Sequence, residues 1–164
     1  MNQNTQALIY DTQSPSTLSE AQKSTIQEAI GILESTLQRA DSYTSSELVR
    51  DFCRLKLAEE KDEHFGCLFL DNQHRLIHYE TLFKGTIDGA AIYPRVVVRR
   101  ALELNSAAII FAHNHPAGHP EPSQADVAIT SRLTAALQTV DIRTLDHIVV
   151  GSEGTISMAE RGLI

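Results

Sequence analysis

Residues 107–127 read AAIIFAHNHPAGHPEPSQADV and join an apolar run to a polar segment through a loop that carries three histidines. The run 107–112 is apolar on both faces and predicts a buried strand that stops at His113. Three prolines stiffen the loop, and a helix is predicted to begin at Ser123. A buried strand that leads through a loop into a helix is typical of α/β folds.

Strands and helices alternate on both sides of this stretch. The other elements that the sequence predicts are strand 65–70, a turn at 71–74, strand 75–79, a helix from Pro94 to near Asn105, and a strand pair at 142–151 and 155–158. No internal repeat or low-complexity segment interrupts them. We therefore expect a mixed sheet with helices on both faces.

Two helices are predicted before this α/β body. A Thr-x-x-Glu capping box opens each of two segments with apolar residues at helical spacing, 17–38 and 44–60. Their apolar stripes either cover the body or bind a partner, and we expect them to cover it. The expected organisation is an N-terminal segment and helix over 1–40 and an α/β domain over 41–164.

Composition limits the classes of function. The 164 residues are 42% hydrophobic, enough for one compact domain, and the formal net charge of -7 opposes non-specific binding to nucleic acid. The sequence has no signal-peptide pattern and no apolar run long enough to cross a bilayer, which predicts a cytoplasmic protein with no membrane segment. Cys53 and Cys67 are too isolated for a disulfide framework or a CxxC metal site, and we expect Cys67 to fill the core.

The histidines at the strand end suggest a metal site. His113 and His115 are two residues apart, and that spacing directs both side chains to one side of an extended chain. Asp126 falls in the first turn of the next helix and can return toward the strand end as a third ligand. Two histidines and one carboxylate leave a position for water, as in a catalytic rather than a structural zinc site.

Another interpretation needs no metal. Ser123 is a favourable N-cap, and Asp126 stands where the N3 partner of a capping box belongs. This explains both residues but not the two histidines at the end of a buried strand. The residues alone leave the two interpretations about equal, because a bare His-x-His is a weak signal. Hydrolysis would also need a carboxylate base. If the hairpin turns at residues 72 and 73, Glu80 lies across from the start of the first strand and close to Glu63, so both carboxylates qualify.

Several polar residues outside this motif also carry open interpretations. His119 is a substitute ligand or a solvated loop residue. Asp146, which precedes His147, either orients a ligand imidazole or makes a structural hydrogen bond. The arginines of the third predicted helix either meet an acidic partner or form a solvated face, as is commoner. They are Arg95, Arg99 and Arg100.

The motif resembles that of a known family. The order His-x-His, seven residues, Ser, two residues, Asp resembles the JAMM motif of the MPN/JAB metallopeptidase superfamily, and the HNHP spelling resembles its RadC-like branch. The similarity covers roughly residues 45–164. Further segments that resemble this branch are Glu63-His64-Phe65, LFLD at 68–71, Leu82-Phe83-Lys84-Gly85-Thr86, Tyr93-Pro94-Arg95, Leu145-Asp146-His147 and Met158-Ala159-Glu160-Arg161-Gly162.

The resemblance implies a fold and roles for the residues of the motif. The fold would be the cytidine-deaminase-like α/β/α sandwich. The zinc ligands would be His113, His115 and Asp126, with the Ser123 hydroxyl beside the metal and Glu63, rather than Glu80, as the general base. Asn114 stands where the peptidases that remove ubiquitin usually carry Ser or Thr, although Asn is usual in the RadC-like branch.

Three classes of function follow from these expectations. The first is a zinc-dependent metallopeptidase or isopeptidase acting on a peptide or protein. The second is a nucleic-acid-processing or DNA-repair-associated factor, which the name of the branch suggests and the acidic charge opposes. The third is a metal-binding scaffold without turnover. A nucleobase deaminase of similar fold is disfavoured because the sequence contains no P-C-x-x-C.

Overall fold

The computed structural model describes residues 18–39, 45–57, 59–85 and 91–164. These ranges contain four α-helices and five β-strands. In chain order the elements are α1 (Glu20–Arg39), α2 (Ser46–Leu57), β1 (His64–Leu70), β2 (Leu76–Lys84), α3 (Pro94–Glu103), β3 (Ala108–Asn114), α4 (Gln124–Gln138), β4 (Arg143–Gly151) and β5 (Gly154–Ser157).

The five strands form one mixed sheet in the order β2-β1-β3-β4-β5. Only β3 and β4 are parallel, and the chain between them crosses over through α4, because parallel neighbours cannot be joined by a tight hairpin. The remaining pairs are antiparallel. The ends of β3 and β4 therefore lie side by side, next to the start of α4.

Helices cover both faces of this sheet. On one face, Ile110 and Ile148 pack with Phe52 of α2 and with residues of α1. On the other, Phe111 packs with Leu133 of α4 and with residues of α3. Successive side chains of a strand point to opposite faces, so β3 contributes to both cores. The predicted fold class, a mixed sheet flanked by helices and preceded by N-terminal helices that cover it, is confirmed.

The N-terminal helices begin slightly later than the sequence predicts. Ser19 and Gln22 form the capping box of α1: the Ser19 N–H donates to the Gln22 side chain at 2.8 Å, and the Gln22 N–H donates to the Ser19 hydroxyl at 3.3 Å. At α2 the Ser45 hydroxyl accepts a backbone N–H of the first turn. The caps predicted at Thr17 and Thr44 lie outside the described residues, as does the predicted domain division at residue 40.

Three other boundaries differ from the sequence prediction. α2 ends at Leu57 rather than near residue 60, and β2 continues to Lys84 because its second half pairs with the start of β1. β3 continues past His113 to Asn114, which pairs with β4. Among the described residues, no helix combines the length and the apolar character needed to cross a membrane.

Candidate metal centre

Three side chains converge where β3 ends and α4 begins. The Nε2 atoms of His113 and His115 are 2.9 Å apart. Asp126 places one carboxylate oxygen 3.3 Å from Nε2 of His113 and the other 3.4 Å from Nε2 of His115. His113 is buried, whereas His115 and Asp126 are half-buried, so the cluster opens to solvent on one side.

The loop that carries His115 is fastened to the neighbouring strand. The His115 N–H donates to the carbonyl of Val150 at 2.8 Å. Gly118 has φ of 98°, a backbone conformation that favours glycine. A Cβ added to Gly151 would lie 2.2 Å from the Gly118 carbonyl oxygen. Glycine at both positions therefore lets the loop pack directly on the backbone of β4.

A capping box positions Asp126. Its carboxylate accepts the Ser123 N–H at 2.7 Å and the Ser123 hydroxyl at 2.6 Å, and its own N–H donates to that hydroxyl at 3.1 Å. The capping interpretation is thus confirmed. The carboxylate that caps α4 is also the one that faces the two imidazoles, so the capping and metal-site interpretations are compatible.

The donor set fits a zinc ion. The His115 Nδ1 atom lies 2.9 Å from the carbonyl oxygen of His119, and a carbonyl only accepts, so Nδ1 carries the hydrogen and the neutral ring presents a bare Nε2 to the cluster. Zinc bound tetrahedrally at about 2.0–2.2 Å needs neighbouring ligand atoms about 3.3 Å apart. The separations of 2.9–3.4 Å between the three side chains are close to that value.

Electrostatics favour a positive charge at this point. Burial opposes ionisation of Asp126, but the contacts of its carboxylate with the imidazoles of His113 and His115 outweigh that effect and hold the pKa of the carboxyl far below its ordinary value of 3.8. The bond with Asp126 raises the pKa of His115 above 6.5 against the effect of burial, and the charge of Glu63 adds to that rise. Without a metal ion, a proton is therefore favoured where the cation would bind.

The two candidate bases lie in different surroundings. The antiparallel register pairs Phe65 with His113, and continuing it by two residues places Glu63 opposite His115. Within the described ranges, the Glu63 carboxylate makes no hydrogen bond or ion pair. Glu80 pairs with Cys67, about 13 Å further along the sheet, and Arg100 binds its carboxylate. The expectation that Glu80 lies across from the start of β1 was wrong, because the wider turn and the irregular register of the hairpin shift β2.

Known proteins are similar in sequence to most of this chain. Residues 43–163 match the RadC-like JAB domain family. A protein of Vibrio cholerae named UPF0758 is 54% identical over 137 residues, which cover 84% of this chain and 86% of the relative. UPF0758 proteins of Cellvibrio japonicus and Marinobacter nauticus are 57% and 55% identical over 79% and 81% of this chain, but the match covers only 58% and 59% of their length.

The chain belongs to the RadC-like JAB domain family. The resemblance noted in the sequence is thereby confirmed. JAB domains often bind zinc, and membership in this family suggests a hydrolase. The histidine and aspartate cluster is a group that could hold a metal ion.

Asn114 of the RadC-like domain makes side-chain hydrogen bonds that the sequence did not predict. The His64 N–H donates to its side-chain oxygen at 2.7 Å, and its side-chain nitrogen donates to the carbonyls of Glu60 and Asp62 at 3.1 and 3.0 Å. These bonds hold the backbone on both sides of Glu63. The signal in the sequence that could have revealed this role was a polar residue at an inward position of a buried strand.

His147 is the second residue that sequence reasoning missed. It is fully buried on β4, and its Nε2 lies 2.8 Å from Nδ1 of His113. Burial lowers the pKa of this imidazole well below 6.5, and repulsion from a protonated His113 would act in the same direction, which favours the neutral ring. In the sequence analysis, the preceding Asp146 was the candidate for orienting a ligand imidazole.

The remaining candidates have structural contacts. Asp146 accepts the His147 N–H and the Ser157 hydroxyl at 2.7 and 2.6 Å, which is the structural hydrogen bonding considered as one of its two interpretations. The His119 side chain is 75% exposed and binds Glu153 at 2.9 Å, outside the cluster, while its carbonyl orients His115. On α3, Arg99 and Arg100 pair with acidic side chains, and Arg95 lies over the ring of Tyr93. The acidic partners are Glu80 and Glu103.

Proposed function

We propose that the chain is a zinc-dependent hydrolase, a metallopeptidase or isopeptidase that cleaves a peptide or protein substrate. The observation that carries the proposal is the convergence of His113, His115 and Asp126 beside Glu63, whose carboxylate has no partner among the described residues. Membership in the RadC-like JAB family supports the hydrolase class. The three side chains would hold the ion.

Glu63 is the general base in this proposal. When bound, zinc supplies Lewis acidity that makes water a nucleophile near neutral pH. Glu63 takes the proton from that water and passes it to the leaving amine. Two observations support this role: Glu63 lies opposite His115, and its carboxylate has no ion pair among the described residues, whereas Arg100 already occupies the carboxylate of Glu80.

Ser123 has two parts in the proposal. Its hydroxyl donates to Asp126 and thereby orients that carboxylate. It also lies exposed at the N-terminus of α4, where the hydroxyl, by turning its single hydrogen away from Asp126, would donate to the oxyanion that develops on a substrate carbonyl.

A groove beside His115 supports a peptide as substrate. It has a volume of about 470 Å³ and lies between the end of α2 and the turn that joins β4 to β5. Its lining combines apolar side chains and glycine backbone with polar side chains such as Glu60 and Asn114, so an extended chain can make both apolar contacts and hydrogen bonds there. Examples of the lining residues are Leu57, Pro116, Gly118, Val150 and Gly151.

We also propose a cytoplasmic location for this activity. The thiols of Cys53 and Cys67 are free and buried, which is compatible with a reducing compartment. The net charge of -7 favours a peptide or protein over nucleic acid as the substrate.

A substrate screen with matched carboxylate variants tests the proposal. The zinc-loaded protein is incubated with a peptide library, isopeptide-linked conjugates and single- and double-stranded nucleic acids, and cleavage is followed by mass spectrometry. We expect cleavage of a peptide or isopeptide bond. Glu63→Gln should retain zinc and lose about 10²–10⁴-fold in turnover, because the base is not a ligand.

Glu80→Gln is the matched control. It removes the same charge at a position held by Arg100, and it should leave turnover near the wild-type value. Cleavage of nucleic acid alone would replace the peptidase assignment with the nucleic-acid-processing class. Zinc binding without cleavage of any substrate would favour the scaffold class, and undiminished turnover of Glu63→Gln would remove the base from Glu63.

A further inference from the structure

A chain of short contacts runs behind the candidate metal centre and returns to it. From Nδ1 of His113 it passes to Nε2 of His147 at 2.8 Å, and from Nδ1 of His147 to the Thr130 hydroxyl at 2.6 Å. The Thr130 hydroxyl then lies 2.6 Å from the backbone carbonyl of Asp126. This series of contacts therefore begins and ends at two of the three residues that would hold zinc.

The positions of the hydrogens in this chain follow by elimination. The Asp126 carbonyl cannot donate, so the single hydroxyl hydrogen of Thr130 lies in that 2.6 Å contact. The contact between Thr130 and His147 must then use a hydrogen on Nδ1 of His147. This assigns the donors of two of the three contacts.

The third contact is decided by the state of His147. Its ring is fully buried, with Phe65 and Phe111 packed against it edge to face, and such surroundings disfavour a charged imidazole. A neutral ring that carries its hydrogen on Nδ1 has a bare Nε2. The hydrogen between His147 and His113 therefore belongs to Nδ1 of His113, and Nε2 of His113 is left free to bind a metal ion.

We propose that His147 and Thr130 are positioning residues that hold His113 in the Nδ1–H tautomer and tie it to the helix that carries Asp126. This inference rests on the proposed zinc site for its function, although the tautomer itself does not require a metal. The series of contacts joins β3, β4 and α4, so a displacement of any one of these elements changes the distance between the metal ligands. Removing such a partner of a ligand typically lowers metal affinity about 10–100-fold.

Zinc affinity of four variants tests the proposal, measured by competition with a chromophoric chelator with zinc alone as the probe. His147→Leu removes the acceptor for His113 and should weaken binding about 10–100-fold. His147→Gln keeps an acceptor oxygen at a similar reach and should recover most of the loss. Thr130→Val deletes the hydroxyl with little change of shape and should also weaken binding, whereas Thr130→Ser should bind as the wild type does.

The tautomer is read independently of zinc. Long-range ¹H–¹⁵N correlation spectra of the metal-free protein, at a mildly alkaline pH, identify which nitrogen of His113 is protonated, with His113→Ala for assignment. We expect the hydrogen on Nδ1 in the wild type and in Thr130→Ser, and a mixture of tautomers in Thr130→Val. Because Thr130→Val is nearly isosteric, it keeps the test informative should His147→Leu fail to fold.

The outcomes separate this inference from the proposed function. A wild-type protein that binds no zinc but holds His113 as the Nδ1–H tautomer would contradict the zinc site and support the positioning pair. Wild-type zinc affinity in both His147→Leu and Thr130→Val, or a hydrogen on Nε2 of His113 in the wild type, would overturn the inference while leaving the zinc site in place.

Discussion

At the level where β3 and β4 end, the two faces of the sheet differ in kind. Toward α1 and α2, the side chains of Ala112, Ile148 and Val150 are apolar and buried. Toward α4, Phe111 is followed by His113, which is as buried as those residues but is polar and makes a hydrogen bond with His147. The first face contributes stability, whereas the second gives up apolar contacts for a polar cluster.

That polar cluster persists because its buried atoms are paired. A buried polar group without a hydrogen bond costs roughly 1–3 kcal/mol. Both ring nitrogens of His147 have partners, and so does Nδ1 of His113. The atoms left facing one another are the acceptors of His113, His115 and Asp126, and a cation completes them. The difference between the faces shows that the buried polar atoms behind the cluster are paired with one another, whereas the acceptors of the cluster face the position that a cation would occupy.

The largest expected effect on stability lies on the apolar face. Ile148→Ala should lower the free energy of unfolding by about 2–5 kcal/mol, because it leaves a cavity in a packed core. Zinc stoichiometry of the folded protein should be unchanged. Chemical denaturation and metal analysis check both, with Ile77→Ala at a 37% exposed position as the control. A loss of zinc equal to that of a ligand variant would show that the faces are not separable.

Asn114→Ala should produce the next effect, on the boundary between the faces. It removes three hydrogen bonds to the backbone around Glu63 and should cost about 1–3 kcal/mol. Faster hydrogen exchange of the His64 amide is the specific signature, and zinc binding should remain. Asn114→Asp, which keeps the acceptor for that amide, should protect it better. Unchanged exchange in Asn114→Ala would show that Asn114 does not hold the Glu63 segment.

Zinc affinity should depend on pH through the polar face alone. Because the pKa of His115 is raised above 6.5, a proton occupies the metal-free site up to a higher pH than in an ordinary imidazole. Zinc must displace it, so affinity should fall as pH decreases through that raised pKa, by up to about tenfold per pH unit for each proton displaced. Titrations across this range measure the slope. An affinity that is constant through it would contradict ligation by His115.

The smallest expected change in stability is at Ser123. Ser123→Ala should lower the free energy of unfolding by about 1 kcal/mol through loss of the cap and should reduce turnover about a hundredfold or more through loss of an oxyanion donor. Ser123→Thr keeps the hydroxyl and should retain more of both. Ser123→Asp places a carboxylate against Asp126, so we do not expect it to recover activity. Full turnover in Ser123→Ala would restrict the hydroxyl to helix capping.

The sequence predicts the parts of the site that depend on local spacing. His113 and His115 meet because alternate residues of an extended chain share a face, and Ser123 meets Asp126 because a capping box spans one helical turn. The strands and helices of the α/β body were also predicted, because they too depend on the local spacing of apolar residues.

Contacts between distant segments could not be predicted from the sequence. The choice between Glu63 and Glu80 depends on the register of β1 and β2, which irregularities after Phe65 and Phe69 shift. Periodicity does not reveal such shifts, because a bulge adds a residue without changing the apolar pattern at either end. The partners of Asn114 and His147 likewise lie on other elements of the fold, 50 and 34 residues away.

Zinc stoichiometry of purified protein and of two ligand variants tests the central claim most directly. The protein is loaded with zinc at mildly alkaline pH, freed of excess metal and analysed by mass spectrometry under native conditions. We expect about one zinc ion per wild-type chain, and loss of most of it in both His113→Ala and Asp126→Ala while the fold is retained. Full retention of zinc by either variant, or a wild-type protein that takes up none, would contradict the assignment of His113, His115 and Asp126 as a metal centre.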